Sequence, residues 1–439
     1  MTTNSQKVID AIHDSTARKG PMGLDRMRRL LSLLGNPEEK LNIFHVAGTN
    51  GKGSVATYLS SILQEAGYTV GVHTSPHVMV YNERFMINNH LISDEAFTRY
   101  GEAVLNYNEW LNQEGYGYLS EFEILTAIAY LFFADNGVDY MISEVGLGGV
   151  IDSTNTIEHP VSTIITQVGR DHTGILGDTL REIAWNKAGI IKAGIPVISE
   201  SVEPETQEFI RWKAEQKGSE FLDVSDSEYK IVSRRPEMLF DVTIGEKEYR
   251  DLHLSMQGDH QVRNAVTAMM ALLKACEEGK VSVSEEHIRA GLQKARIMGR
   301  FEFLQKENPA VIIDGGHNPD GIRAGIAALK QYYGEEIEDK KVLIVFGCFK
   351  DKEYDEMAEE LGKAPAHSDF IITEPHSERA LSCNVLTEKL TEKGFHCIAI
   401  PDEREAYTTA VNGCYDVVLF IGSIYLIGDM RILYQTKGW

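Results

Sequence analysis

Val46-Ala47-Gly48-Thr49-Asn50-Gly51-Lys52-Gly53-Ser54 is the stretch that decides the fold. Before it lies the apolar run Ile43–Ala47, which reads as a short strand. After it, Val55, Leu59, Ile62, Leu63 and Ala66 recur at helical spacing, so a helix is predicted from Ser54 to Ala66, with Gly67 as its stop. A second strand, Thr69–His73, completes a βαβ unit. Strand, glycine-rich loop and helix in that order are the context that a phosphate-binding loop requires. Glycines let backbone N–H groups converge on phosphate oxygens, and the helix N-terminus adds partial positive charge. Lys52 supplies a mobile cation for the outer phosphates of a nucleotide. The stretch departs from the general GxxxxGK[ST] pattern in two places. Val46 stands where its first glycine falls, and Gly53 directly follows Lys52. The hydroxyl that usually meets Mg²⁺ is displaced, so another side chain is needed to help hold the metal.

Outward from this loop the βα rhythm continues. Met27, Leu30, Leu31 and Leu34 predict a helix over Asp25–Leu34, ended by Gly35 and Pro37. Strands are predicted at Tyr140–Val145, Ser162–Val168 and Pro196–Ser199, with helices such as Glu121–Ala134 and Leu180–Ile190 between them. Residues 220–254 alternate in short runs around Gly245 and read as antiparallel strands. Helices over Gln261–Cys276 and Glu285–Ala295 follow. Strands then return at Val311–Asp314, Val342–Phe346, Phe370–Thr373, Cys397–Ile400 and Val417–Ile421. The expected architecture is α/β, with a boundary near 296–300. An N-terminal P-loop ATPase domain, 1–297, carries a mainly parallel sheet plus a small antiparallel sheet. A C-terminal Rossmann-like domain, 298–439, follows it.

The 439 residues suit two domains, and 43% apolar with 25% charged residues is ordinary globular composition. The net charge of −22 argues against a nucleic-acid or anionic-membrane partner, because such partners need a basic face. Small anions remain possible if their sites are built locally. No apolar stretch approaches the ~20 residues a bilayer requires, and the first 20 residues lack the apolar region of a signal peptide. The five cysteines are scattered without a CxxC pair, which favours small buried residues in a reduced cytosol over a zinc site or disulfides.

Together the motifs resemble the Mur ligase superfamily, and within it the folylpolyglutamate synthase/dihydrofolate synthase family. The resemblance runs nearly the whole length. It comprises Gly23-Leu24, the loop above, Thr74-Ser75-Pro76-His77, Tyr81-Asn82-Glu83-Arg84, Phe122-Glu123, Glu144–Gly149 and Asp152-Ser153-Thr154-Asn155. Further on come Asp171-His172, Lys187–Ile190, His260-Gln261 with Asn264, Gly299-Arg300, Asp314–Pro319 and Gly422–Leu426.

The resemblance implies that ATP phosphorylates a folate carboxylate and that the amine of L-glutamate attacks the resulting acyl phosphate. It places Thr49, Asn50, Gly51, Lys52, Gly53, Ser54, Asn264, Arg300 and Asp314 on the nucleotide. Ser75, Glu144 and His172 match the family's magnesium positions, where one or two Mg²⁺ ions are implied. Lys187 aligns with a lysine that looks carbamylated across much of the family. Glu121, Phe122 and Glu123, with Ile151, Asp152 and Ser153, fall where the pterin is contacted. His317, with Ser423 nearby, matches the glutamate end. Lys52, Lys187, His172, Asp314 and His317 are the implied catalytic set. Val150 stands where many relatives have Arg, Arg170 where many have Leu, and Asn186 where many have Glu.

The reading is thus a cytoplasmic, monomeric ligase acting on a reduced folate, L-glutamate and ATP, without nucleic-acid or membrane partners. Dihydrofolate synthase activity on dihydropteroate is the alternative within the family. A P-loop phosphotransferase would leave Asp314–Pro319 unexplained, and a ligase of cell-wall precursors is disfavoured by the Gly51-Lys52-Gly53-Ser54 form.

Overall fold

Ile43–Ala47 is buried along its whole length, as a central parallel strand must be when helices cover both sheet faces. It pairs in parallel with Tyr140–Glu144 on one side and Ser162–Ile165 on the other. In this computed structural model, which describes residues 3–18 and 23–436, that strand lies inside an eight-stranded sheet. The order is His90–Leu91, Phe85–Ile87, Val70–His73, Tyr140–Glu144, Ile43–Ala47, Ser162–Ile165, Val197–Ser199, Phe221–Asp223. All pairings are parallel except two, Val70–His73 with Phe85–Ile87 and the terminal hairpin of Phe85–Ile87 with His90–Leu91. Asn88 and Asn89, at φ of 48° and 64°, turn that hairpin, and asparagine tolerates the left-handed region there.

The chain divides into two units. The first comprises 1–168, 176–227 and 264–292 and contains the eight-stranded sheet. The second comprises 169–175, 228–263 and 293–439. It holds a three-stranded antiparallel sheet, Lys247–Leu254, Met238–Ile244 and Glu228–Ser233. It also holds a six-stranded sheet ordered Glu302–Gln305, Ala310–Asp314, Val417–Ile421, Val342–Phe346, Asp369–Ile372, His396–Ala399. Only the first pair there is antiparallel.

Most predicted elements are present to within a residue or two. One is different in kind. Phe221–Asp223 was expected among antiparallel strands, yet it pairs in parallel with Val197–Ser199 at the edge of the large sheet. Three residues are too few to show which neighbour they pair with. The helix Asn4–Ala17, capped by Thr3 and burying Val8 and Ile12, was not anticipated because charged residues interrupt its apolar face. All five cysteines are free, and no helix among the described residues is long and apolar enough to cross a membrane.

Two buried charge arrangements set stability. In the first unit the Arg26 guanidinium grips the Glu123 carboxylate, with contacts of 2.9, 3.1 and 2.7 Å, while both side chains are almost fully buried. Glu123 also closes a capping box with Ser120 at the start of the helix Glu121–Asp135. Arg26→Ala strands that carboxylate without its cation. The expected loss is about 3–5 kcal/mol in urea unfolding of the chain; a loss below about 1 kcal/mol would contradict it.

In the second unit Glu403, at the start of the helix Glu403–Val411, lies against Asp429 of the last helix. Burial, then the Asp429 charge, push the Glu403 carboxyl up to about 8. Its folded value exceeds the unfolded value of about 4.3, so the stability this site contributes at low pH is lost as pH rises towards 8. Glu403→Gln removes the titration. The variant should therefore melt higher than the parent near pH 8 and lose that advantage near pH 4, as followed by thermal unfolding across pH.

Candidate active site

The loop Gly48–Gly51 reverses the chain between strand and helix. Gly48 has φ of 153°, and a Cβ there would stand 1.8 Å from Thr166 Oγ1. Gly51 has φ of 91° and would collide with Asn264 Oδ1 at 2.5 Å. Both positions therefore require glycine on conformation and on space. The loop is pinned by Thr49 N–H donating to Gln167 O at 2.8 Å and by Thr166 Oγ1 donating to Asn50 O at 2.6 Å. Gly51 begins the helix Lys52–Glu65, whose first-turn N–H groups face the loop.

Lys52 Nζ donates to Gly48 O at 3.1 Å and Thr49 O at 3.2 Å. It also lies 3.8 Å from Glu144 Oε1. Lys187, 3% exposed, donates to the same Gly48 carbonyl at 2.8 Å. Glu144 ends its strand, where open α/β sheets place ligands, and its Oε2 accepts from Ser75 N–H at 3.4 Å. Glu144 thus offers a hard oxygen beside the Ser75 backbone, and carboxylate and hydroxyl oxygens are the donor chemistry that suits Mg²⁺. Among the described residues no three or more His, Cys, Asp or Glu side chains gather as a metal cage.

Of the residues matched to the pterin, Phe122 packs its ring on His73, with centroids 5.8 Å apart at 23°, and leaves no room for a Cβ on Gly146. Glu121 accepts from Tyr81 OH at 3.1 Å and lies 3.7 Å from Arg84. Arg84 in turn donates to His77 Nδ1 at 2.9 Å, and burial followed by the Arg84 charge lowers the His77 imidazole to about 4. Glu123 is engaged by Arg26 and Ser120. Asp152 accepts from Leu147 N–H, Thr154 N–H and Thr154 Oγ1 at 2.8, 3.0 and 2.6 Å, which shapes the turn carrying Ser153. Burial raises the Asp152 carboxyl despite those bonds. Ile151 is exposed.

The second unit gathers a different set. Asp314 closes the strand Ala310–Asp314, accepting from Phe301 N–H and Gly316 N–H, both at 2.8 Å. Burial raises its carboxyl, and the Arg300 charge opposes that. The Arg300 guanidinium lies against Gly315, where a Cβ would come within 3.2 Å of it. His317 Nδ1 is 2.9 Å from Gly315 O, and Nε2 is 3.7 Å from Asp171 Oδ2. Asn318 caps the helix Pro319–Tyr333 and donates to Asp171 Oδ2 at 3.2 Å. Ser423 caps the last helix, accepting from Tyr425 N–H at 3.2 Å.

Asp171 entered the sequence reading only as part of the Asp171-His172 block, without a role, and Lys352 did not enter it, yet they organise this set. Lys352 Nζ meets Asp171 Oδ1 at 2.8 Å, and each side chain is 9% exposed. Burial would raise the Asp171 carboxyl, but Lys352, His172 and His317 together hold it well below the usual carboxylate range. His172, at φ of 52°, donates its N–H to Asp171 Oδ1 at 2.9 Å. The available signal was a lysine in the loop beyond the carboxyl end of Val342–Phe346. Ser75 and Glu144 are thus brought together within the first unit, while His172 belongs to the second unit with Asp171.

Two family descriptions match the chain. They are the Mur ligase middle domain over residues 46–272 and the Mur ligase glutamate ligase domain over residues 299–424. A dihydrofolate synthase/folylpolyglutamate synthase of Bacillus subtilis is 39% identical over 416 residues, covering 93% of this chain and 94% of that protein. E. coli FolC in complex with DHPP and ADP superposes with a TM-score of 0.87 at 27% identity, covering 99% of this chain and 98% of the other. Mycobacterium tuberculosis folylpolyglutamate synthase complexed with ADP and AMPPCP gives 0.86 at 26% identity, covering 98% and 99%.

His317 is held at about 4 by burial first and the Lys352 ammonium second. Lys352→Met removes that cation and leaves the Asp171 carboxylate facing the imidazole. The His317 pKa should rise, followed by NMR titration of the imidazole protons; an unmoved titration would refute the assigned electrostatics.

Proposed function

This chain belongs to the folylpolyglutamate synthase/dihydrofolate synthase family of Mur ligases, and from that premise we propose that it joins L-glutamate to the γ-carboxylate of a reduced folate with cleavage of ATP to ADP and phosphate. It is a ligase of the acid–amino-acid type. The observation that carries the reading is the glycine loop with Lys52 at its crest and Glu144 at 3.8 Å, a phosphate cradle with a hard-oxygen neighbour.

The chemistry is a phosphoryl transfer followed by an acyl transfer. A folate carboxylate oxygen attacks the γ-phosphorus, and ADP leaves. The glutamate amine then attacks the acyl carbon, loses its proton, and phosphate departs with the C–O bond pair. Positioning and charge neutralisation dominate such steps. We assign Thr49–Ser54, Lys52 and Asn264 of the first unit, and Arg300 and Asp314 of the second, to the nucleotide. Glu121–Glu123 and Ile151–Ser153 are assigned to the pterin, and His317 with Ser423 to the incoming glutamate. His317 donates from Nδ1 to Gly315 O, so its neutral ring leaves Nε2 free to take a proton from the amine. Arg26 and Ser120 bind the Glu123 carboxylate, so its contribution is to fix the helix start that presents Phe122 and Glu121.

Ser75 and Glu144 would hold Mg²⁺, and the same role for His172 rests on the family resemblance alone. The ion, when bound, supplies Lewis-acid neutralisation of phosphate charge. Lys187 is the proposed carbamylation site: its neutral amine adds to CO₂, forming an N–C bond and releasing one proton. Residues 1–297 are proposed as the ATP-binding domain with the folate site and 298–439 as the glutamate-binding domain, which the glutamate ligase description over 299–424 supports. A monomer in the cytosol is the proposed working state. Dihydrofolate synthase activity is the second reading, favoured by the bifunctional name of the B. subtilis relative.

Phosphate release from ATP should require both a folate and L-glutamate. ATP turnover indifferent to both would sink the ligase reading, and dihydropteroate assayed beside tetrahydrofolate decides between the two activities. Lys52→Ala should lower kcat by about 10²-fold or more, the scale of losing one electrostatic contact to the reacting charge. Lys187→Ala should be inactive and partly rescued by a short carboxylate, while intact-mass measurement of the parent reads the carbamate directly.

A further inference from the structure

A cavity of about 470 Å³ in the first unit plays no part in the chemistry above. Four cations line it: Arg28, Lys192, Lys213 and Lys217. One carboxylate, Glu158, faces them, lying 3.6 Å from Arg28 and 3.5 Å from Lys192. Among the described residues no ion-pair partner stands within 4.0 Å of Lys213 or Lys217. The Trp185 indole, 51% exposed, forms part of the wall. In a chain of net charge −22 this is a local reversal of sign. Burial lowers the Lys192 ammonium; Glu158 opposes that, and Arg28 and Lys217 add smaller lowering effects of their own.

The arrangement of the charges selects the ligand. Lys213 and Lys217 belong to the C-terminal end of the helix Pro204–Gln216, one turn apart, where Cβ atoms lie about 5–6 Å from each other. Complementing the helix dipole accounts for basic residues there. It does not account for Arg28 and Lys192 facing them from other elements. A compact phosphate prefers a helix N-terminus and its convergent N–H groups, and this cavity is met by the opposite end. Spaced ammonium groups suit an extended chain with carboxylates at intervals. The cavity wall also includes Val150, the residue before Ile151-Asp152-Ser153, which the functional reading assigns to the folate.

We infer that this basic cavity binds the poly-γ-glutamyl tail of the folate. The inference rests on the folate reading of the site, and it adds a binding site for carboxylates already installed. Each further glutamate brings one more negative charge, so affinity should climb with tail length and fall with salt.

The test is a titration of the full chain with free di- and penta-γ-glutamate, read by calorimetry and by Trp185 fluorescence with Trp185→Phe as control. The pentamer should bind more tightly than the dimer. Lys213→Glu/Lys217→Glu should weaken the pentamer by about tenfold or more while leaving kcat on a monoglutamyl folate unchanged. Lys213→Gln/Lys217→Gln gives a smaller loss and serves if the charge reversal impairs folding. Equal pentamer affinity in parent and both variants overturns the inference, as does tighter binding of tripolyphosphate than of the pentamer. Because free oligoglutamate binding needs no turnover, a chain that binds the pentamer but ligates nothing would refute the ligase reading alone.

Discussion

The carbonyl of Gly48 is the point on which the first unit depends. It accepts from Lys52 at 3.1 Å and from Lys187 at 2.8 Å, so two ammonium groups from different helices converge on one backbone oxygen. That convergence is possible only because Gly48 lacks a side chain; Thr166 occupies the space where a Cβ would stand. The register of the sheet then does the rest. Val46 is opposite Glu144 in the parallel pair, so the carboxylate emerges beside the loop rather than one residue away on the other face. A cradle for phosphate and an oxygen donor for its cation thus follow from one strand pairing and two glycines.

The second unit solves a different electrostatic problem. It buries the Asp171 carboxylate, which is costly unless the charge is matched and its oxygens are bonded. Lys352 matches the charge at 2.8 Å, while His172 N–H and Asn318 Nδ2 supply hydrogen bonds at 2.9 and 3.2 Å. The same lysine keeps the neighbouring His317 neutral, with its pKa at about 4. One ion pair therefore fixes a loop, caps a helix through Asn318 and sets the protonation of an imidazole. A neutral imidazole is the form that can accept a proton, so the base role proposed for His317 depends on this pair.

How legible this was depends on the range of the interactions. The loop 48–54, the strand before it and the helix after it are local features, and their residues announce them. The central parallel strands of the two larger sheets followed from short apolar runs, because a strand covered on both faces is largely apolar along its length. Phe221–Asp223 was misplaced because strand partnership is decided by distant residues that a three-residue run does not encode. The hairpin at Asn88-Asn89 carried a readable turn signal that passed unused. Asp171 and Lys352 are separated by 181 residues, and Arg26 and Glu123 by 97. Such pairs have no signature in spacing, since each member looks like an ordinary charged surface residue until the fold buries it. Glu123 adds another case: its place in a family motif suggested substrate contact, and the fold adds bonds from Arg26 and Ser120 to its carboxylate, of which the distant Arg26 had no signature in the motif.

The net charge of −22 frames the last step. A ligase whose substrates are anions repels them at long range when it carries this charge, with a screening length of about 8 Å in physiological salt. Beyond that length the bulk charge matters little, and the sign of the nearest few groups decides. Lys52, Lys187, Arg300 and Lys352 are all buried or half-buried, which shields them from screening. Lys217 is exposed, where salt reaches it, and Lys213 beside it is half-buried. The first group suits tight, geometry-bound contacts with reacting anions. The second suits a loose, length-dependent hold on a flexible polyanion that must be released to be useful. A strongly acidic chain with a few placed cations therefore discriminates by position: a small anion is retained only where a cation has been set for it.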